Sequence, residues 1–382
     1  MTRRKRRSLR RPALAVGLVA AAFAAWLAAG IYLPVGGGRQ PVRITVQPDA
    51  SPREVAAELR AAGLIRSATA FQIAAAWGDG WRQARAGDYA LRRDMSAVAM
   101  LRAIERGEVV SESVTFPEGR TVWQMAEAAA AAGLGSADDF MRAAGAGGAR
   151  EAGPAPADFG ASFPLPGDSL EGYLFPDTYS VAHRPGAARD LVQKMLARFD
   201  EVVWRELLDG REPTNGQSLH QLITLASLVE AEAKLADERP IIAAVLLNRL
   251  KRGMPLECDA TVQYALGPDR KPRLFNNDLK IASPYNTYLH PGLPPGPINS
   301  PGRASITAAL HPASVPYLFY VARPDGSHVF TSTYAEHLRA VARSRAARAS
   351  QQAPGYQAAP SPAASGTSAL SAANGSRQGG AR

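Results

Sequence analysis

The chain has 382 residues, 46% of them hydrophobic, with a formal net charge of +10 and one cysteine. That length accommodates two or three domains, and a lone Cys258 excludes an intrachain disulfide and any cysteine-based metal cluster. The charge does not indicate a nucleic-acid binder. Seven positive charges sit in the first eleven residues, Arg377 and Arg382 add two in residues 351–382, neither stretch holds an acid, and the body between carries only +1.

Residues 1–12 form a basic arm, and Ala13–Leu33 contains no charged residue. At about 1.5 Å per residue this run spans roughly 30 Å, the hydrocarbon thickness of a bilayer. The arm before it predicts a single-pass transmembrane helix over 13–33, with the N-terminus in the cytoplasm and the rest of the chain outside. The rival is a cleavable signal peptide, whose apolar core is normally shorter and ends at a small-residue cleavage site not evident here. Residues 34–41, with three consecutive glycines, read as a linker.

Residues 42–112 read as a small α/β module. Val42, Ile44 and Val46 alternate as a strand, Ser51-Pro52 opens a helix as cap and first-turn proline, and Gly63 stops it. Phe71 and Ile73 mark a second helix, Gly87-Asp88-Tyr89 a second strand, and Ser96 caps a last helix. Residues 113–205 echo this unit. Val114-Thr115-Phe116 matches the first strand, Thr121 matches Ser51, and Ala132-Gly133-Leu134 follows Ala62-Gly63-Leu64 by 70 residues. Gly172-Tyr173 is expected to answer Asp88-Tyr89 after a long Gly-, Ala- and Pro-rich loop.

Residues 206–345 change in texture. A strongly apolar helix runs from Ser218 to Glu230, a second from Ile241 to Arg252, and a long loop follows over 254–303. Such a long loop in a compact domain is usually functional. Leu318–Val321 and His328–Phe330 predict a hairpin around Pro324-Asp325-Gly326, and Thr333–Ala342 a closing helix. Residues 346–382 read as a disordered tail of Gln, Ala, Pro, Ser and Gly. The fold class expected is α+β: an N-terminal membrane helix, an α/β module, then a mixed α+β catalytic domain.

Glu230 lies on the same helical stripe as Ile223 and Ala226. A carboxyl there is either a helix-end group paired with Arg249 or Lys234, or an acid in an apolar wall whose desolvation favours the protonated form. Glu232, about 200° around the helix, reads as a surface or salt-bridge residue. The six histidines are dispersed with no ligand pair at helical spacing, so no metal is expected, and no Gly-Lys-Ser/Thr phosphate loop occurs. No cofactor is implied.

Several motifs recur as a set. They are Gly172-Tyr173-Leu174-Phe175-Pro176-Asp177-Thr178-Tyr179, Leu225-Ala226-Ser227-Leu228-Val229-Glu230, Asn248-Arg249-Leu250, Ser283-Pro284-Tyr285-Asn286-Thr287-Tyr288, Gly292-Leu293-Pro294-Pro295-Gly296-Pro297-Ile298 and Glu336-His337. Their order and spacing resemble the endolytic murein transglycosylases of the YceG-like family, from the membrane helix to about residue 345. The resemblance implies an inner-membrane protein with a LysM-like module (42–112) ahead of a catalytic domain. Such a protein cuts the β-1,4 bond between N-acetylmuramic acid and N-acetylglucosamine inside peptidoglycan strands, leaves 1,6-anhydro ends and so terminates growing strands.

The resemblance assigns catalysis to Glu230. A single glutamic acid suffices for this reaction, because it protonates the leaving oxygen and its carboxylate then takes the proton of the substrate's own C6 hydroxyl. Tyr285, Asn286 and Tyr288 are expected to bind sugar by hydrogen bonding and stacking, or else to fix their loop. Asp259, Thr261 and Gln263 fall where the family lines its groove. His337 is a further substrate candidate, or a partner of a nearby carboxylate. Two departures stand out: Leu338 where an Asn commonly follows Glu-His, and Ala260 in place of a usual proline. Implied partners are peptidoglycan strands, the membrane and cell-wall synthases. A non-catalytic, membrane-anchored scaffold that binds glycan is the competing reading.

Overall fold

The structure is a computed structural model describing residues 3–77, 79–145, 159–167 and 169–352. Most of the long loop after residue 143 and the expected tail from residue 353 onward therefore lie outside the described residues. Helix α1 (Arg3–Tyr32) includes a 19-residue stretch, Leu14–Tyr32, long and apolar enough to cross a membrane. Most of that stretch is exposed, as in Leu14, Val16, Leu18 and Val19, whereas its end at Gly30 and Ile31 is buried. A methyl group added at Gly30 would lie only 2.7 Å from Ala70 Cβ. Arg66 Nε and Nη2 donate to the Pro34 carbonyl at 3.1 and 2.9 Å, and Gly36 N–H donates to the Arg93 carbonyl at 3.1 Å. The expected linker is thus tied down along its first residues.

The next ten elements form one unit twice. The first copy is β1 (Pro41–Val46), α2 (Pro52–Ala61), α3 (Ala68–Ala76), β2 (Gly87–Arg92) and α4 (Ala97–Arg106). The second is β3 (Ser111–Thr115), α5 (Val122–Ala131), α6 (Ala137–Ala143), β4 (Thr178–Ala182) and α7 (Ala187–Phe199). Strands β1 and β2 pair antiparallel, as do β3 and β4. The local chemistry repeats as well. Ser51 with Glu54, and Thr121 with Gln124, form capping boxes at the starts of α2 and α5. Gly63 and Gly133 close those helices at φ of 66° and 72°, and Leu64 N–H and Leu134 N–H bond back to Leu59 and Ala129.

One correspondence differs from expectation. Ile44 faces Tyr89 and Val114 faces Tyr179 across the two ribbons, so Tyr179, not Tyr173, is the counterpart of Tyr89. The long insertion before β4 shifts the strand six residues past the place where sequence similarity suggested it. The copies are joined through backbone: Asp88 N–H donates to the His183 carbonyl at 2.8 Å, and Val110 N–H to the Asp88 carbonyl at 2.7 Å.

The first copy has its own core around Phe71, Tyr89, Leu59 and Met100. The second does not. Its core, with Phe116, Phe140, Tyr173 and Phe199, is continuous with that of the C-terminal elements. A π-helical extension of α7, Asp200–Leu207, crosses the boundary expected at 205/206, so no break in packing divides 113–205 from 206–345.

The C-terminal elements are α8 (Leu219–Glu232), α9 (Arg239–Lys251), α10 (Asp259–Ala265), α11 (Arg303–Leu310), the hairpin β5 (Phe319–Ala322) and β6 (His328–Thr331), and α12 (Tyr334–Gln352). Helix α12 continues ten residues beyond its expected end at Ala342, into the stretch read as tail. The long loop over 254–303 is interrupted by α10. Among the described residues the three strand pairs are antiparallel, in keeping with an α+β fold.

Candidate active site

Helix α8 is the axle of the site. Ser218 caps it and forms a capping box with Gln221. Residues Leu222 to Val229 are all at most 1% exposed, each large side chain among them contributing about 1.5–3 kcal/mol of burial. The Gly-Leu-Pro-Pro-Gly-Pro-Ile segment is strapped along this helix. His220 Nε2 lies 2.8 Å from the Pro295 carbonyl, Ile298 N–H donates to Ser227 Oγ at 3.1 Å, and Asn299 Nδ2 donates to the Ser227 carbonyl at 2.9 Å. Gly172 packs beneath it, where a methyl group would meet Pro297 at 2.5 Å and Ile223 at 3.0 Å.

The strap delivers Gly302 to Glu230. Gly302 N–H donates to Glu230 Oε2 at 3.1 Å, and Arg239 Nη2 lies 3.6 Å from Oε1. The Glu230 side chain is 8% exposed. Its cation is therefore Arg239 at the start of α9, not the expected Arg249 or Lys234. Arg249 instead pairs with Glu257 and donates to the Pro255 carbonyl at 2.9 Å.

A second carboxyl, which the sequence reading missed, lies beside it. Glu118 follows β3 in a Phe-Pro-Glu-Gly turn stitched to the strap by Gly119 N–H to the Ser300 carbonyl and Ser300 N–H to the Arg120 carbonyl, each 2.9 Å. Partial desolvation of its carboxyl, then the charge of Glu230, raises the pKa of Glu118, an exposed residue, and Arg239 opposes the rise. A Pro-Glu-Gly turn at a strand end was the available signal, but nothing in the sequence joins it to a helix more than 100 residues later.

The expected binding residues gather elsewhere. Glu232, two residues past Glu230, faces the opposite way and is no surface salt bridge. Burial, then the charge of Asp259, pushes its pKa up to about 7, while a hydrogen bond from the Tyr320 hydroxyl pulls it down. Tyr288 OH donates to Asp259 Oδ1 at 2.7 Å on that side. Asn286 is fully buried. Its Nδ2 donates to the Leu279 and Ile281 carbonyls at 3.0 and 2.9 Å, and its Oδ1 accepts Tyr288 N–H at 3.0 Å. Thr261 is buried and bonds the Cys258 carbonyl and Thr287 Oγ1. Gln263 clamps Lys271 through both backbone groups. The polar atoms of these three side chains bond within the loop, which for Asn286 is the loop-fixing alternative. His337 stacks on Phe319 at 5.2 Å; burial, then Arg249, lowers its pKa, and the charge of Glu257 opposes the fall.

Tyr285 belongs to a third group. Trp123, Tyr264 and Tyr285 form a row with ring centroids 5.0 and 4.8 Å apart, and Arg270 lies 5.4 Å above Trp123. Under it Glu171, 4% exposed, accepts Val122 N–H with both oxygens. Burial pushes its pKa up to about 8. The row is reached from Glu230 along one short segment, Gly119 to Trp123. Cavities of about 560 Å³ between the two repeated units and about 550 Å³ beside His220 and Pro295 are not lined by Glu230. Among the described residues, no three His, Cys, Asp or Glu side chains gather to hold a metal ion.

A glutamate gripped at the end of a buried helix, on an α+β scaffold of tandem units, defines a class of protein recognisable by sequence. The signature of the YceG-like family matches residues 44–343, and the chain belongs to that family. A Bacillus subtilis protein named endolytic murein transglycosylase is 44% identical over 171 residues, covering 45% of this chain and 47% of that protein. One of the same name from Streptococcus pneumoniae is 30% identical over 362 residues, covering 84% of this chain and 63% of that protein. The chain thus spans between about half and two thirds of the length of these relatives. A crystal structure of a yceG-like protein from Listeria monocytogenes superposes with a TM-score of 0.52 at 27% identity, covering 79% of this chain and 99% of that one.

Proposed function

We propose that this protein is a membrane-anchored endolytic murein transglycosylase. It cleaves the β-1,4 bond between N-acetylmuramic acid and N-acetylglucosamine within peptidoglycan strands, leaves 1,6-anhydro ends, and thereby ends strand growth. The observation that carries this reading is the grip of Gly302 N–H and Arg239 on Glu230, the position the resemblance assigns to catalysis, at the end of a buried helix. As an acid it protonates the leaving oxygen. As a carboxylate it takes the proton of the muramic C6 hydroxyl while O6 bonds to C1. The Gly302 N–H and Arg239 stabilise that carboxylate between the two transfers.

On this reading α1 crosses the inner membrane with its basic arm in the cytoplasm. The first repeated unit is a LysM-like glycan-binding module, and cell-wall synthases are the expected partners. Tyr285 with Trp123 and Tyr264, and Tyr288 with Asp259, are the side chains proposed to meet sugar.

Digestion of purified glycan strands by the full chain in detergent tests the proposal. Cleavage with anhydro ends, lost in Glu230→Gln while strand binding persists, is the expected result. Unchanged cleavage by Glu230→Gln would put catalysis on a different residue, and strand binding without cleavage by the unaltered chain would leave a binding scaffold. Because Glu118 supplies a second carboxyl, hydrolysis is the specific rival. Reducing ends, heavier by one water, would establish it by mass.

A further inference from the structure

Glu118 and Glu230 come from distant parts of the chain and meet at one glycine. A methyl group built on Gly302 would fall 1.7 Å from Glu118 Oε1 and 2.0 Å from its Cδ, so the Glu118 carboxyl lies directly on that glycine. The N–H of the same residue is bonded to Glu230 Oε2. Glu230 is the inner carboxyl of the two, while Glu118 is an exposed residue on the solvent side. The backbone bonds between residues 119–120 and Ser300 hold the two turns in this register.

We propose that Glu118 is a positioning residue for the catalytic proton, the outer member of a carboxyl pair that shares one proton and keeps it available to Glu230. The inference rests on the transglycosylase reading above. The charged groups facing Glu118 are Glu230 from α8 and Arg239 from α9; Ser300 and Gly302 offer only backbone and a hydroxyl. Two carboxylates against one guanidinium carry a net negative charge, and a single proton removes it. Partial desolvation of Glu118 and the charge of Glu230 both favour the protonated form of Glu118.

The step balances. Glu118 as the acid gives its proton to the Glu230 carboxylate. Glu230 passes it to the leaving O4 as the C1–O4 bond breaks. O6 bonds to C1, and the O6 proton returns to the pair. One proton enters and one leaves per cycle, and no water is consumed.

The pH profile of kcat for the full chain in detergent tests this. The alkaline limb reports loss of the pair's last proton. In Glu118→Gln, Glu230 holds that proton alone and without a neighbouring negative charge. The limb should move toward acid by about one pH unit or more. Cleavage at mildly alkaline pH should then fall about tenfold and recover most of its rate in mild acid. Glu118→Asp keeps a carboxyl and should restore much of the original limb. Gly302→Ala displaces Glu118 from its seat without removing either acid, and should move the limb in the same direction. A structural role would lower the rate equally at every pH. That result, or an unmoved limb in the folded variants, overturns the proposal. Glu230→Gln separates the two readings. If it still cleaves, the assignment of the site fails. If it is inactive while both displacing variants keep the original limb, only the shared proton fails.

Discussion

Tyr89 and Tyr179 occupy the same position in two copies of one unit. Each hydroxyl donates to the carbonyl four residues upstream, Tyr89 to Arg85 O at 2.5 Å and Tyr179 to Phe175 O at 2.6 Å. Burial raises the pKa of both phenols. Tyr89→Phe and Tyr179→Phe each leave a carbonyl without its donor, at an expected cost of about 1–2 kcal/mol. They share no partner, so the double variant should show the sum. Urea unfolding of the two single variants and the double variant checks both claims.

Glu171 predicts a pH dependence of stability. Its folded pKa of about 8 lies above the ordinary 4.5, so the folded state binds more protons than the unfolded state. Its stabilising contribution is complete below about pH 4.5 and declines as pH rises through about 8. Glu232, raised to about 7, acts with the same sign. Glu171→Gln should flatten the decline and gain on the order of 3 kcal/mol at pH 9. Denaturant unfolding between pH 5 and 9 measures the slope, and a slope equal to that of wild type would refute this account.

Gly172 sits at φ 83°, a conformation side chains rarely adopt, and a methyl group there would meet Pro297 at 2.5 Å. Gly172→Ala should therefore cost about 1–3 kcal/mol from overpacking alone. Because it pushes on the strap that carries Gly302, it should also lower cleavage in molecules that remain folded. Thermal unfolding and strand digestion on one preparation separate the two effects.

Asn286 holds its loop with three hydrogen bonds. Asn286→Ala leaves two part-buried carbonyls without these donors and should cost about 1–3 kcal/mol. Residues 279–290 should become the first site of proteolytic nicking. Tyr288→Phe, which loses only the bond to Asp259, should keep the loop protected. Limited proteolysis followed by mass analysis distinguishes them.

The capped helices and alternating strands of the repeated units were readable because each signal is local. Ser51, Thr121, Gly63 and Gly133 act within a few residues of themselves. The counterpart of Tyr89 was misplaced because the second copy carries a long insertion between Leu134 and β4, and spacing alone cannot cross it. Glu230 was legible as an acid on an apolar stripe. Its surroundings were not, because Glu118, Arg239 and Gly302 reach it from three separate segments. For Asn286 sequence left two roles open, sugar binding and loop fixing, since an amide facing sugar and one facing two carbonyls look alike in sequence.

The seat of α1 on the first unit has a mechanical consequence. With Gly30 against Ala70, and the Pro34 carbonyl held by Arg66, the end of the apolar helix is seated directly on the domain that follows. Gly36, which sequence alone would make a swivel, is fastened to Arg93. The helix is then a rigid mast rather than a tether: any tilt it takes in its surroundings is transmitted to the first unit, and through the Asp88–His183 backbone bond to the second.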